Sequence, residues 1–87
     1  MQHWEYRTVL LYAFLHPHNH KSWRVKAINE QKIPGWEETK EYSSVTDFCN
    51  QMDKQGWELI TVHSESHPDL KMLIELYFKR SHLDKTP

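Results

Sequence analysis

The chain reads as a small α+β domain: a mainly antiparallel sheet of about four strands, with one amphipathic helix packed on one face. Three observations predict this. Residues 4–15 (WEYRTVLLYAFL) and 72–80 (MLIELYFKR) are unbroken stretches rich in aromatic and branched side chains, the composition of strands. Between them a single segment carries Val45, Phe48, Cys49 and Met52 at helical spacing. That segment runs into Gly56, and a third apolar stretch, WELITV, follows at once.

Taken in order, residues 4–15 form the first strand. Trp4, Tyr6, Thr8, Leu10, Tyr12 and Phe14 share one face; Glu5, Arg7, Val9, Leu11 and Ala13 share the other. The strand ends in HPHNHKS, whose Pro, Asn and Ser mark a loop. Residues 23–33 form a second strand with less regular alternation. Pro34-Gly35 fits a type II turn, proline presetting φ and glycine supplying a positive one. WEETKEY after it reads as a short polar edge strand.

The helix follows. Ser44 and Asp47 are spaced as a capping pair. Val45, Phe48, Cys49 and Met52 make the apolar stripe, while Asn50, Gln51, Asp53 and Lys54 face water. Gly56 stands where the backbone must turn left-handed to stop, and in a Schellman ending the next residue packs about one turn back. Trp57 should therefore close against Met52, making Met52, Gly56 and Trp57 a structural corner. Residues 58–64 form a strand with Leu59 on one face and Ile60 and Val62 on the other. In residues 72–80, Met72, Ile74, Leu76 and Phe78 line one face; Leu73, Glu75, Tyr77 and Lys79 line the opposite one. The organisation is one domain over 1–80, with 16–42 as an insertion or hairpin, and a polar tail over 81–87.

Trp4-Glu5-Tyr6, Gly56-Trp57-Glu58-Leu59 with Val62, and Phe78-Lys79-Arg80, in that order around one helix, resemble a family of small bacterial and phage proteins, domain of unknown function 4177. The likeness covers the two ends and the helix. Residues 16–42 look like an insertion relative to the family's shortest members. The resemblance implies a compact α+β fold with one helix on a small antiparallel sheet. It carries over no catalytic residue, because the family has no established activity.

Composition narrows the function classes. A chain of 87 residues buries only roughly 60–65% of the surface that its unfolded form exposes, so the core is thin. A net charge of -1 gives no general attraction to nucleic acid or anionic membrane. One cysteine forms no internal disulfide, no basic-then-apolar leader opens the chain, and no apolar run approaches a membrane span; a cytoplasmic protein is expected.

His16, His18 and His20 alternate and, on an extended backbone, would project to one side as Zn, Cu or Ni ligands; Pro17 and the absence of an adjacent Cys or carboxylate favour a solvated loop. Cys49 lies on the apolar stripe, the setting of a small hydrophobe rather than a nucleophile. With only Gly35 and Gly56, no glycine-rich phosphate loop can form. No enzyme and no cofactor are expected. Trp4, Arg7, Trp23, Arg24, Lys26, Tyr77, Lys79 and Arg80 mix rings with cations and form the candidate set for a small anionic ligand, such as a signalling nucleotide held between subunits. The leading expectation is a non-catalytic assembly or interaction module, with that ligand-binding protein as the alternative. Because the first strand is apolar on both sides while one helix covers one face, the partner expected is a second copy: a homodimer, then a higher symmetric oligomer.

Overall fold

Gln2–His16 forms a 15-residue strand, β1, whose two-residue alternation organises the molecule. The computed structural model describes residues 2–17, 20–66 and 72–83. After β1 come β2 (His20–Ile28), β3 (Gln31–Lys32), a 3-10 helix (Trp36–Glu38), α1 (Val45–Lys54), β4 (Glu58–Ser66) and β5 (Met72–Leu83). The five strands pair antiparallel in the order β3-β2-β1-β5-β4, so β1 is central and β4 forms one edge. The α+β class is as the sequence predicts, with five strands in place of about four.

The additional strand arises inside residues 23–33. Asn29 and Glu30 adopt positive φ, 51° and 67°, so the chain reverses there and β3 pairs back on β2. Two successive left-handed residues make the primed turn that suits the twist of a hairpin. Asn29 is anchored to β1: its N–H donates to the Thr8 carbonyl at 2.8 Å, and its Oδ1 accepts from the Thr8 N–H at 3.0 Å. Beyond it, Pro34-Gly35 makes the expected turn, with Gly35 at φ 70° and the Trp36 N–H bonded to the Ile33 carbonyl. The WEETKEY segment is not an edge strand: it holds the 3-10 helix, and its one backbone pairing with the sheet among the described residues is the bridge from Tyr42 to Trp23. Nor does residue 81 begin a tail. β5 runs on to Leu83, Ser81 lying opposite Trp4. The middle segment is part of the sheet, since β2 lies directly against β1.

α1 has the ends its sequence specifies. Ser44 is extended, and its Oγ accepts from the Asp47 N–H at 2.9 Å, satisfying one orphan amide of the first turn. At the other end the Gly56 N–H reaches the Asp53 carbonyl (2.9 Å) and the Trp57 N–H the Met52 carbonyl (3.0 Å), with Gly56 at φ 87°. These two bonds define the Schellman ending.

The helix settles on the aliphatic face of the sheet. Val9, Leu11 and Ala13 of β1, Trp23 of β2, and Ile74, Leu76 and Phe78 of β5 form one buried cluster with Phe48, Met52 and Trp57. Phe48 meets Tyr42 and Phe78 edge-on, ring centroids 4.9 and 6.1 Å apart. Each such side chain contributes roughly 1.5–3 kcal/mol by leaving water.

The opposite, aromatic face is covered over half its length. Trp36, though drawn from a polar segment, is buried with its centroid 5.0 Å from Tyr12 and 5.7 Å from Phe14. The Lys26 ammonium lies over both Tyr12 and Trp36, at 5.1 and 5.3 Å. Where that cover stops, the face continues as Leu10, Thr8, Tyr6 and Trp4. The molecule measures 52 × 24 × 21 Å, and this open half runs along its long axis with β1.

Candidate functional site

Three groupings combine polar and aromatic side chains. The first is the corner after α1. Trp57 is 2% exposed, with the Arg80 guanidinium carbon 4.2 Å and that of Arg7 4.5 Å from its ring centroid. Arg80 also donates from Nη2 and Nε to Glu5 Oε1, at 2.8 and 3.2 Å, and from Nη1 to the Gln55 carbonyl. Cation–π contacts of this kind are worth about 0.5–2 kcal/mol each, and they use the faces on which a ligand would stack. The Trp57 Nε1–H is buried and finds no acceptor among the described residues. Glu5, Trp57 and Arg80 come from the three motifs of the family resemblance. Sequence segments far apart therefore meet in one joint that locks the helix end to the two central strands.

The second grouping was not foreseen as a unit. Ser22, opposite Phe14 on β2, is 1% exposed, and its Oγ lies 2.7 Å from His16 Nε2. Glu41 Oε1 lies 3.4 Å from the same His16 nitrogen, and Glu41 Oε2 accepts from Arg24 at 3.1 Å. Arg24 donates its other arm to the Thr39 carbonyl at 2.8 Å. A hydrogen bond from Ser22, with the nearby charges of His16 and Arg24, outweighs desolvation and holds the Glu41 carboxyl below its ordinary range. Serine, histidine and glutamate are the members of a nucleophilic triad, but the geometry is different. Both partners meet one imidazole nitrogen, whereas a triad uses the two nitrogens for different jobs. The serine is also closed to substrate. This cluster ties the middle segment to β1 and β2.

The third grouping is the open half of the outer face. Register puts Tyr6 opposite Lys79, Thr8 opposite Tyr77, Leu10 opposite Glu75 and Tyr12 opposite Leu73; beyond β5, Glu58, Thr61 and His63 continue the rows. Trp4 is 46% and Tyr6 65% exposed, and the Lys79 ammonium sits 4.4 Å from the Trp4 ring. The Tyr77 hydroxyl donates to the Glu75 carboxylate, and this bond, with some burial, raises the phenol pKa. Leu10, His63, Leu73 and Glu75 enclose a depression of about 230 Å³. Ligand pockets usually reach roughly 300–1,000 Å³, so this is a dimple in a broad surface.

The eight residues of the ligand set are thus distributed, not assembled. Arg7 and Arg80 stack on Trp57 at the corner, Arg24 and Lys26 hold the middle segment, and Trp23 is buried in the core. Only Trp4, Tyr77 and Lys79 share the open face. Of the histidine set, His16 engages Ser22 and Glu41; His18 and the side chain of His20 lie outside the described residues. Among the described residues no three His, Cys, Asp or Glu side chains are grouped to hold a metal ion. Cys49 packs against the core, and burial pushes its thiol pKa up, away from nucleophile chemistry. No helix among the described residues is long and apolar enough to cross a membrane.

Comparison with known proteins returns no match: no family model, no curated protein and no solved structure matches the chain.

Proposed function

We propose that this protein is a small non-catalytic interaction module that assembles with a second copy of itself through the open half of the outer face. The observation that carries the reading is the exposure of Trp4 and Tyr6 on a face they share with Leu10, Leu73 and Tyr77. Antiparallel sheets that leave one face to water place polar residues there, and a contiguous apolar face more often marks an interface. The same face carries both signs of charge, with Lys79 opposite Glu58 and, farther along, Glu75 opposite His63. Under a two-fold axis, a face with both signs of charge can meet its own copy without opposing like charges. A homodimer is the simplest closed arrangement, and a higher symmetric oligomer is next.

Membership of the family that the sequence resembles belongs to the same reading, supported by the meeting of its three motifs at the Trp57 corner. A cytoplasmic location accords with the lone thiol. The alternative, a protein that sequesters a small anionic molecule between subunits, ranks second because Arg7, Arg24 and Arg80 already face rings or carboxylates within the chain. Native mass spectrometry of the protein as purified separates the two. A bare dimer or higher oligomer is expected; an oligomer that releases a stoichiometric small anion on denaturation would support the alternative.

A further inference from the structure

Antiparallel register arranges the side chains of the open face in rows that run across β1, β5 and β4. One row holds Tyr6, Lys79 and Glu58. The next holds Thr8, Tyr77 and Thr61; the bulge between Leu59 and Thr61 keeps Glu58 and Thr61 on the same face, as their β5 partners show. The third holds Leu10, Glu75 and His63. Along β1 and β5 the rows lie two residues apart, about 6–7 Å. The first and third rows are complementary in charge: Lys79 of one corresponds to Glu75 of the other, and Glu58 to His63. Both central charges are placed by their own chain, Lys79 over the Trp4 ring at 4.4 Å and Glu75 by the Tyr77 hydroxyl.

We infer that two copies pack outer face to outer face about a two-fold axis crossing the strands at the Thr8, Tyr77 and Thr61 row, so that Lys79 of each copy meets Glu75 of the other. This rests on the outer face being the interface, and adds which residues pair there. Such an axis lays each strand over its own copy and exchanges the first and third rows. Tyr6 then lies over Leu10 of the partner subunit, beside the dimple that Leu10, His63, Leu73 and Glu75 enclose. Glu58 lies over His63 of the partner subunit, whose imidazole N–H can donate to a carboxylate. Other axes pair the face less well. Moving the axis by one row opposes Lys79 to the partner's Lys79, or Glu75 to the partner's Glu75. Midway between rows, Lys79 faces the partner's Tyr77 or the partner's Leu73, and its charge is unmatched. An axis along the strands between β1 and β5 sets Glu75 over the partner's Leu10. One between β5 and β4 does match charges, but it carries Trp4 and Tyr6 past the partner's edge and leaves both rings in water.

The test mixes two charge-reversed variants and follows association by light scattering across a dilution series and by native mass spectrometry. Lys79→Glu alone sets two carboxylates together at both symmetric sites, and Glu75→Lys alone sets two ammonium groups together. Each variant alone should associate about tenfold or more weakly than wild type. Mixed, the two oppose unlike charges at both sites, so a one-to-one dimer should form within about threefold of the wild-type concentration. Lys79→Glu mixed with Asp53→Lys, an exposed position on α1, controls for attraction by net charge and should show no such recovery. If circular dichroism shows that a reversal unfolds, Lys79→Gln and Glu75→Gln replace the pair. Each should weaken association, and the double variant no further, because either change removes the same contact. The register is overturned if the mixture recovers no more than the control does, or if the two glutamine effects add. Tyr6→Glu separates this failure from that of the interface. If it weakens association while mixing recovers nothing, the face stands and the register falls. If the wild type is monomeric throughout, or Tyr6→Glu associates as the wild type does, both fall.

Discussion

Trp57 sits where the helix must stop, and its neighbours show why a ring this large is used there. The ring fills the space between the last turn of α1 and the two arginines, buried at 2% exposure. Trp57→Ala should destabilise the fold by about 3–5 kcal/mol in chemical denaturation. Trp57→Phe should cost distinctly less, because it also removes the buried Nε1–H that lacks an acceptor among the described residues. A loss below about 1 kcal/mol for Trp57→Ala would mean that the ring is not structural. Glu30 offers the opposite case. It holds φ 67° in the hairpin turn, where a side chain is strained and glycine is not. Glu30→Gly should therefore stabilise by about 1 kcal/mol, read as a higher denaturation midpoint with unchanged slope. Glu41 supplies a pH dependence. Its folded pKa lies below the ordinary 4.5, so its contribution is present above that value and lost as pH falls through the folded pKa. Glu41→Gln should be less stable than wild type near neutrality, with the difference closing in acid.

At the scale of elements, what could be read from the sequence was what local chemistry specifies. The Ser44 cap, the Val45-Phe48-Cys49-Met52 stripe, the Gly56 stop and the Pro34-Gly35 turn each have a signature within a few residues, and each forms as read. The hairpin at Asn29-Glu30 was hidden because glutamate occupies the slot where glycine would announce a primed turn; contacts to Thr8, distant in sequence, hold it. Trp36 was hidden in another way. WEETKEY is polar apart from its aromatic residues, and the burial of Trp36 depends on Tyr12 and Phe14, reached only once the chain has folded back. The Ser22-His16-Glu41-Arg24 cluster is likewise long-range, and residue spacing gave no clue to it. The eight-residue ligand set failed to gather because alternation sends Arg7 to the helix side while Trp4 goes to the outer side of the same strand. Trp36→Ala should cost about 3 kcal/mol and uncover Tyr12 and Phe14, so binding of a hydrophobic dye should rise in the folded protein.

For the whole molecule, the decisive property is an imbalance of cover. One ten-residue helix and one short middle segment cannot cover both faces of a sheet whose central strand has 15 residues. The helix takes the aliphatic face, Trp36 takes half of the aromatic one, and Trp4, Tyr6 and Leu10 are left with Tyr77 and Lys79. Burying that remainder against a copy adds apolar contact that an 87-residue chain cannot make internally. The most direct measurement is light scattering across a dilution series, for the wild type and for Tyr6→Glu, which places a charge at the most exposed ring of the face without touching the core. The wild type should hold a mass of at least two subunits in the micromolar range, and Tyr6→Glu should shift association to concentrations higher by tenfold or more, the effect of about 1.4 kcal/mol. A wild type that is monomeric at every micromolar concentration, or a variant that associates as the wild type does, would contradict the assignment of this face as the interface.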